Sequence, residues 1–256
     1  FHMWTPDVYE GAPTSITAFF AIVPKIAAIA LIFRFCLEPF DKFYFEWTQV
    51  IFFLSVSSMF LGAIAAIAQK SLKRLLAYSS IGHVGYVLIA LVAASDQGLK
   101  SASIYMFIYL VMNMAIFSII LSLKKSDTYV ENINELSGLS SSNPVISIFL
   151  AIIMLSMAGI PPFIGFFGKF YIFIAAIDSQ LYLLAILGVL ASVISAFYYL
   201  RIIKGMYFDD TIDGEIFEFT ISGQAKAILA ISMIVISFFI FYPSILTNIV
   251  ASISLI

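Results

Sequence analysis

The sequence predicts an all-α polytopic membrane protein that forms a single membrane domain over residues 1–256. Of its 256 residues, 62% are hydrophobic and 11% are charged, and the mean hydropathy is +1.06. A soluble domain carries roughly 25% charged residues. The apolar runs have the length of spanning helices, whereas barrel strands would be about ten residues long and alternating. The longest polar stretch, residues 124–143, is predicted to be a loop.

Seven apolar runs are long enough to cross a bilayer, and short polar turns separate them. They cover about residues 14–35, 47–68, 75–94, 102–123, 145–177, 181–200 and 225–249. Residues 1–13, before the first run, contain two prolines, a glycine and the aromatic residues Trp4 and Tyr9. These residue types favour turns and the headgroup level of a bilayer, so residues 1–13 are predicted to form an interfacial turn.

The first run has Pro24 and Lys25 at its middle. A proline removes a backbone donor and clashes with the preceding turn, so Pro24 is predicted to break the helix and to free the carbonyl of Phe20. One helical face of this run is small and polar, which suits packing around a hydrated site. That face carries Thr14, Thr17, Ala18, Ala21, Lys25 and Ala28.

The fifth run, about residues 145–177, is too long for one straight span. At 1.5 Å per residue it would reach about 50 Å, against a hydrocarbon core of roughly 30 Å. Pro161 and Pro162 are predicted to break it, and Lys169 is its only charged residue. Irregular backbone at membrane depth is tolerated only inside protein or beside water. A lone lysine beside such a break therefore indicates an ion or proton site.

Three titratable residues, Lys25, His83 and Lys169, are predicted to lie at similar depth near the membrane midplane. A charged lysine there costs ~3 kcal/mol on insertion scales, and its neutral form is favoured by burial. Histidine titrates near neutral pH and can bridge two such groups through water. The three residues are thus predicted to form a proton path. Purely structural roles stay open for each of them, most of all for His83, which has Ser79, Ser80 and Tyr86 nearby in sequence.

Loop charges predict the orientation. Eight basic residues fall on one set of loops and three on the other: Lys70, Lys73, Arg74, Lys124, Lys125, Arg201, Lys204 and Lys226 against Arg34, Lys42 and Lys100. The positive-inside rule then places residues 1–13 on the cytoplasmic or matrix side and the C-terminus outside.

The remaining polar residues of the loops are candidates for interface roles. Lys73 and Arg74 are predicted to set topology at the interface. Asp7 and Glu10 are predicted to cap the first span or to pair with loop lysines, and His2 lies in the same interfacial stretch. A disulfide within the chain is excluded by its one cysteine, Cys36, and the two distant histidines make a metal site improbable. No basic block suggests nucleic acid.

Three stretches carry a resemblance to a known family. They are FHMWTPDVYEGAP at the start, QKSLKRLLAYSSIGHVGY from Gln69, and AGIPPFIGFFGKFY from Ala158. They closely resemble the N-subunit family of respiratory NADH:quinone oxidoreductase, complex I, whose mitochondrial counterpart is NADH dehydrogenase subunit 2. The resemblance covers essentially the whole chain. The chain opens Phe1-His2-Met3 without a signal-peptide pattern, so we expect a C-terminal half of a longer or split protein.

The resemblance implies an antiporter-like fold in which this chain supplies helices 8 to 14 of fourteen. Lys25 then matches the family's central lysine on helix 8, and His83 matches the histidine of helix 10. Lys169 matches the terminal lysine of the broken helix 12, which exchanges protons with the outer face. A glutamate–lysine pair on helices 5 and 7 of the family would lie upstream of Phe1.

The resemblance also implies the function and the partners. We expect a proton-translocating subunit that relays protons through Lys25, His83 and Lys169, coupled to electron transfer in other subunits. The chain itself is expected to hold no cofactor, because NADH, FMN, iron–sulfur clusters and quinone belong to partner subunits. The expected neighbours are an M-type antiporter-like subunit, small K-, J- and A-type subunits and lipid. The expected location is the bacterial cytoplasmic membrane or the mitochondrial inner membrane.

Two alternatives remain open at this point. The first is a stand-alone or Mrp-type cation/proton antiporter subunit, against which stands the absence of Asp or Glu from the middle of any predicted span. The second is a structural or assembly subunit without transport. It predicts that loss of Lys25 lowers assembly and leaves pumping intact.

Overall fold

The computed structural model describes residues 3–125, 128–210 and 217–251, and these are almost entirely helical. In chain order the helices are α1 (Thr5–Gly11), α2 (Thr14–Leu37), α3 (Tyr44–Ile67), α4 (Leu72–Ala93), α5 (Asp96–Ile120), α6 (Leu139–Ser142), α7 (Pro144–Ala158), α8 (Ile164–Asp178), α9 (Tyr182–Phe208), α10 (Gly223–Phe238) and α11 (Ser244–Ala251). Within the described residues, α2, α3, α4, α5, α9 and α10 with its following turn are long and apolar enough to cross a membrane. The predicted all-helical membrane fold is confirmed.

The fifth span consists of two half-helices, α7 and α8. The helix stops at Ala158, where Gly159 adopts the left-handed conformation with φ of 86°, and it resumes at Ile164. Glycine takes that conformation without the steric cost that a Cβ would bring. Pro161 and Pro162 lie between the halves, so the predicted break is present.

Pro24, in contrast, does not break its helix. The sequence predicts a break there, but α2 runs without interruption from Thr14 to Leu37 with Pro24 inside it. A single proline removes one backbone hydrogen bond, and spanning helices tolerate that loss where neighbouring groups satisfy the freed carbonyl. The paired prolines of the fifth span follow a glycine cap, and that combination ends a helix.

Residues 1–13 were predicted as a turn, and that prediction is wrong for the described part. Residues Thr5–Gly11 form a helix whose first turn contains Pro6 and Asp7. Proline and acidic residues are both favourable in the first turn, because the proline ring presets φ and a carboxylate interacts well with the helix dipole. His2 lies outside the described residues.

The polar stretch 124–143 was predicted as a loop, and it also contains regular structure. Strands β1 (Leu123–Lys125) and β2 (Thr128–Tyr129) form a hairpin, and β3 (Phe217–Phe219) joins β1 from the connection between α9 and α10. Both pairings are antiparallel, with Leu123 opposite Phe219. Strands of two or three residues are too short to give a periodic sequence signal, and the β1–β3 pairing joins distant parts of the chain.

The last predicted span, residues 225–249, is shorter in the structure. Helix α10 ends at Phe238, a 3₁₀ turn covers Phe239–Phe241, and a separate helix α11 begins at Ser244. The interruption falls just before Pro243, because a proline disfavours helical backbone at the residue that precedes it.

Helix α4 lies at the centre and packs against α1, α2, α3, α5, α8 and α9. Its polar residues therefore have protein on every side, which makes it the natural carrier of a buried site. Its contact with α3 is close because glycines line it. A Cβ added at Gly62 would lie 2.6 Å from the Gly82 nitrogen and 2.6 Å from the Tyr78 carbonyl oxygen.

We expect Gly62→Ala to separate α3 from α4 and to lower the free energy of unfolding by about 1–3 kcal/mol, the usual cost of overpacking. Thermal unfolding of the solubilised protein measures this effect. The matched control is Gly223→Ala, because nothing lies within 4 Å of an added Cβ there. Equal midpoints for the two variants would contradict the close α3–α4 contact.

Candidate functional site

Lys25 points its amine at two tyrosines from other helices. Its Nζ donates to the Tyr9 hydroxyl at 2.6 Å and to the Tyr109 hydroxyl at 3.3 Å. The amine also lies 4.9 Å from the Tyr9 ring centroid and 5.8 Å from that of Tyr109, distances at which a cation is attracted to an aromatic ring. The amine therefore binds phenols rather than the Phe20 carbonyl that the sequence suggested.

His83 lies in the middle of α4, with 4% of its surface exposed. Its Nδ1 lies 2.6 Å from the Tyr105 hydroxyl, and its Nε2 lies 3.2 Å from the Tyr199 hydroxyl. In a neutral imidazole one nitrogen donates and the other accepts. Because a phenol can do either, this arrangement suits both tautomers, and it fixes the plane of the ring.

Lys169 is 5% exposed and reaches back from α8 to the end of α7. Its Nζ donates to the Ala158 carbonyl at 2.8 Å and to the Ser192 hydroxyl of α9 at 2.8 Å. The carbonyl is available because the helix stops at Ala158. Gly159 makes room for the lysine, since a Cβ at that position would lie 2.9 Å from Lys169 Cδ.

Aromatic rings link the three residues into one row. The Tyr109 ring lies 5.4 Å from the His83 ring, and Tyr109 also receives the Lys25 hydrogen bond. On the other side, the Tyr86 ring lies 6.4 Å from His83, and Lys169 Nζ is 4.9 Å from that ring. Lys25 and Lys169 thus each contact a tyrosine that neighbours His83.

A small cavity touches both His83 and Lys169. Its volume is about 10 Å³, close to the smallest space that holds one water molecule. Polar groups line part of it, as a bound water requires. The lining polar residues are Ser79, His83, Tyr86, Lys169, Ser195, Tyr198 and Tyr199.

Four polar residues that the sequence suggests for interface roles form ion pairs: Asp7, Glu10, Lys73 and Arg74. Arg74 Nη1 lies 3.0 Å from Asp7 Oδ1 and 2.7 Å from Glu10 Oε2, so these carboxylates pair with an arginine rather than with a lysine. Lys73 is nearly buried and pairs with Glu131 at 3.0 Å. Among the residues that the structure describes, no three His, Cys, Asp or Glu side chains gather as a metal site would need.

Apart from Tyr86, which is near His83 in sequence, the tyrosines of the site are not predicted from the sequence, and Tyr9 is predicted only to lie at the headgroup level. Tyr9, Tyr86, Tyr105, Tyr109 and Tyr199 are all buried. A signal was present, since Tyr105 and Tyr109 are one helical turn apart near the middle of α5. Belt tyrosines lie at helix ends, and a tyrosine in mid-span needs a partner for its hydroxyl.

Comparison with known proteins shows the family to which the chain belongs. Residues 1–195 match the model of the family described as NADH:quinone oxidoreductase/Mrp antiporter, a transmembrane family. The chain belongs to this family. The matched residues include Lys25, His83 and Lys169, whereas Tyr199 lies just beyond them. The family resemblance seen in the sequence is confirmed.

Individual proteins are similar to this chain along almost its whole length. NADH-quinone oxidoreductase subunit N of Parvibaculum lavamentivorans is 51% identical over 95% of this chain and 50% of its own length. A chain of respiratory complex I from Thermus thermophilus with bound aureothin superposes with a TM-score of 0.80 and 28% identity, over 97% of this chain and 54% of that one. A chain of the Mrp complex from Dietzia sp. shares the fold, with a TM-score of 0.82 and 20% identity over 96% and 54% of the two chains.

The chain spans about half the length of the curated relatives that it matches. Its spanning helices and its family membership make it a multi-pass protein of the bacterial membrane.

Proposed function

We propose that this chain acts as a proton-translocating part of an N-type subunit of NADH:quinone oxidoreductase, with protons passing from Lys25 through His83 to Lys169. The proposal rests on the arrangement of Lys25, His83 and Lys169 with Tyr109 and Tyr86. Each of the two lysines contacts a tyrosine that neighbours the buried His83: Lys25 contacts Tyr109, and Lys169 contacts Tyr86. The subunit N names of relatives at about half identity support the assignment to that complex.

In this proposal His83 is the relay between the two amines. The Lys25 ammonium gives up a proton toward His83. Each ring nitrogen of His83 is hydrogen-bonded to a phenol, so the acceptor nitrogen takes the proton of its phenol as that hydroxyl is reprotonated, and the opposite nitrogen releases a proton through the other phenol in the same way. Lys169, as a neutral amine, receives that proton through a water in the small cavity that it shares with His83. The phenols on both ring nitrogens keep the imidazole oriented through the exchange.

Electrostatic repulsion drives the transfer. At an effective dielectric constant of about 20, two unit charges roughly 10 Å apart interact by about 1.7 kcal/mol. A free energy of about 1.4 kcal/mol changes an equilibrium constant tenfold. A charge that arrives about 10 Å from Lys25 therefore changes the protonation equilibrium of the Lys25 amine by more than tenfold. No large backbone movement is required. The coupling charge comes from other parts of the complex.

The partner subunits supply the redox chemistry in this proposal, so the chain contributes to a translocase without itself oxidising or reducing a substrate. NADH, FMN, iron–sulfur clusters and quinone are assigned to those subunits, and an M-type antiporter-like subunit with small K-, J- and A-type subunits is assigned to the membrane neighbourhood. Residues 1–13 and the basic loops face the cytoplasm in this assignment, following the positive-inside rule.

The test is to replace His83 with glutamine in the assembled complex. Glutamine can still hydrogen-bond both phenols, but it does not titrate. We expect NADH-driven proton uptake by inverted membrane vesicles to fall by about a hundredfold, the lower range for losing a positioned acid–base group. Native electrophoresis reports whether the complex assembles.

The matched control is Ser55→Ala, which removes a buried hydroxyl whose hydrogen bond, to the Gly85 carbonyl at 2.7 Å, involves neither lysine. It is expected to leave pumping close to normal. Normal pumping by an assembled His83→Gln complex would remove His83 from the proton path.

A further inference from the structure

The short helix α1 carries Tyr9 into the protein, where the phenol meets Lys25. Tyr9 is 1% exposed although α1 precedes the first spanning helix. Its hydroxyl lies 2.6 Å from Lys25 Nζ, closer than the 3.3 Å of the Tyr109 hydroxyl. Tyr9 is therefore the nearer of the two hydrogen-bond partners of this amine.

Three contacts hold α1 in the position that this hydrogen bond requires. Thr17 Oγ1 of α2 donates to the Tyr9 carbonyl at 3.0 Å and fixes the backbone beside the phenol. The double ion pair of Arg74 with Asp7 and Glu10 ties the other side of α1 to the start of α4. Helix α1 is thus held where its Tyr9 hydroxyl reaches Lys25.

The chemistry of Tyr9 suits binding rather than proton transfer. Burial raises the pKa of the Tyr9 phenol above its usual value, so the group stays protonated across the physiological range. A neutral phenol accepts a hydrogen bond from an ammonium and donates one to a neutral amine. Tyr9 can therefore hold Lys25 in both of its protonation states.

We propose that Tyr9 is a positioning residue for Lys25, held in place by α1 so that the amine stays beside Tyr109 and faces His83. This inference rests on the proposed function, since it gives Tyr9 a task only if Lys25 carries protons. The inference also assigns a role to the motif Trp4-Thr5-Pro6-Asp7-Val8-Tyr9-Glu10. Its two acidic residues hold α1 against Arg74, and α1 in turn positions Tyr9.

The test is a double-mutant cycle between Tyr9→Phe and Tyr109→Phe in the assembled complex. Each phenylalanine keeps the ring and removes one hydroxyl partner of Lys25. We expect each single variant to lower NADH-driven proton uptake by about two- to tenfold, the equivalent of one net hydrogen bond. Because either phenol can hold the amine when the other is lost, the double variant should lose more than the product of the two single losses.

The outcomes separate this inference from the proposed function. If Lys25→Ala abolishes pumping and Tyr9→Phe leaves it normal, the positioning role is wrong and the proton path stands. If Tyr9→Phe and Tyr109→Phe act independently, Tyr9 has a general structural role and the inference is overturned. If Lys25→Ala itself pumps normally, the proposed function fails and the inference fails with it.

Two further variants guard the test against an assembly defect. Asp7→Asn with Glu10→Gln changes exposed side chains only and releases α1 from Arg74, so it should lower pumping in the same direction as Tyr9→Phe. Tyr182→Phe alters an exposed tyrosine of α9 and should have no effect. Normal pumping after release of α1 and after Tyr9→Phe would together overturn the positioning role.

Discussion

Lys25→Ala is expected to abolish NADH-driven proton pumping while the complex still assembles. Among the residues that the structure describes, Lys25 is the only lysine whose amine is hydrogen-bonded to Tyr109, and the Tyr109 ring lies next to His83. Alanine removes the group that would bring a proton to His83. Proton uptake by inverted membrane vesicles, normalised to the amount of assembled complex, measures the loss.

Lys25→Arg distinguishes a proton carrier from a fixed charge. Arginine keeps the positive charge but does not deprotonate in proteins. We expect this variant to fail as Lys25→Ala does, whereas a purely electrostatic role would be rescued. Lys42→Ala, which removes an exposed lysine from the turn between α2 and α3, is the control and should pump normally. Pumping retained in Lys25→Arg would contradict a titrating role.

Lys169→Met is expected to cause a loss of the same size, at the other end of the row. Methionine is about as long as the aliphatic part of lysine, so the packing of this side chain against Gly159 is kept while the amine is lost. The Ala158 carbonyl would then lose its 2.8 Å donor and keep only the longer hydrogen bond from Ser192 Oγ at 3.5 Å. The loss of one net hydrogen bond costs about 0.5–1.5 kcal/mol. Both effects have the same cause, namely the amine that bridges the two halves of the broken helix.

The two effects of Lys169→Met are measured separately. Thermal unfolding reports the lost hydrogen bond, and proton uptake per assembled complex reports the lost carrier. Lys226→Met, on the exposed side of the first turn of α10, is the control for both. A variant that is less stable yet pumps normally would show that Lys169 only joins the helix ends.

Much of the site could be predicted from the sequence because membrane burial makes charges conspicuous. Lys25 and Lys169 interrupt long apolar runs, and Pro161 with Pro162 lies inside a run too long for one span. The cost of an ammonium in hydrocarbon makes such residues stand out without any structure. The fold class followed from the same apolar runs and is confirmed.

Other parts could not be predicted, because they depend on contacts between distant parts of the chain. Tyr9 and Tyr109 are 100 positions apart, and only the packing of α1 and α5 around α2 brings them to one amine. The prediction at Pro24 is wrong for a different reason, since local sterics predict a break at a position where α2 continues without interruption. The strand pairing of β1 with β3 likewise has no local sequence signal.

The most direct test of the proton path is the proton uptake per NADH oxidised by an assembled complex that carries both Lys25→Ala and Lys169→Ala. If protons pass through this row, the ratio falls relative to the parent complex, because both carriers beside His83 are gone. The fall should not exceed that of the more severe single variant, since the two lysines act in one path. An assembled double variant with an unchanged ratio would contradict the account.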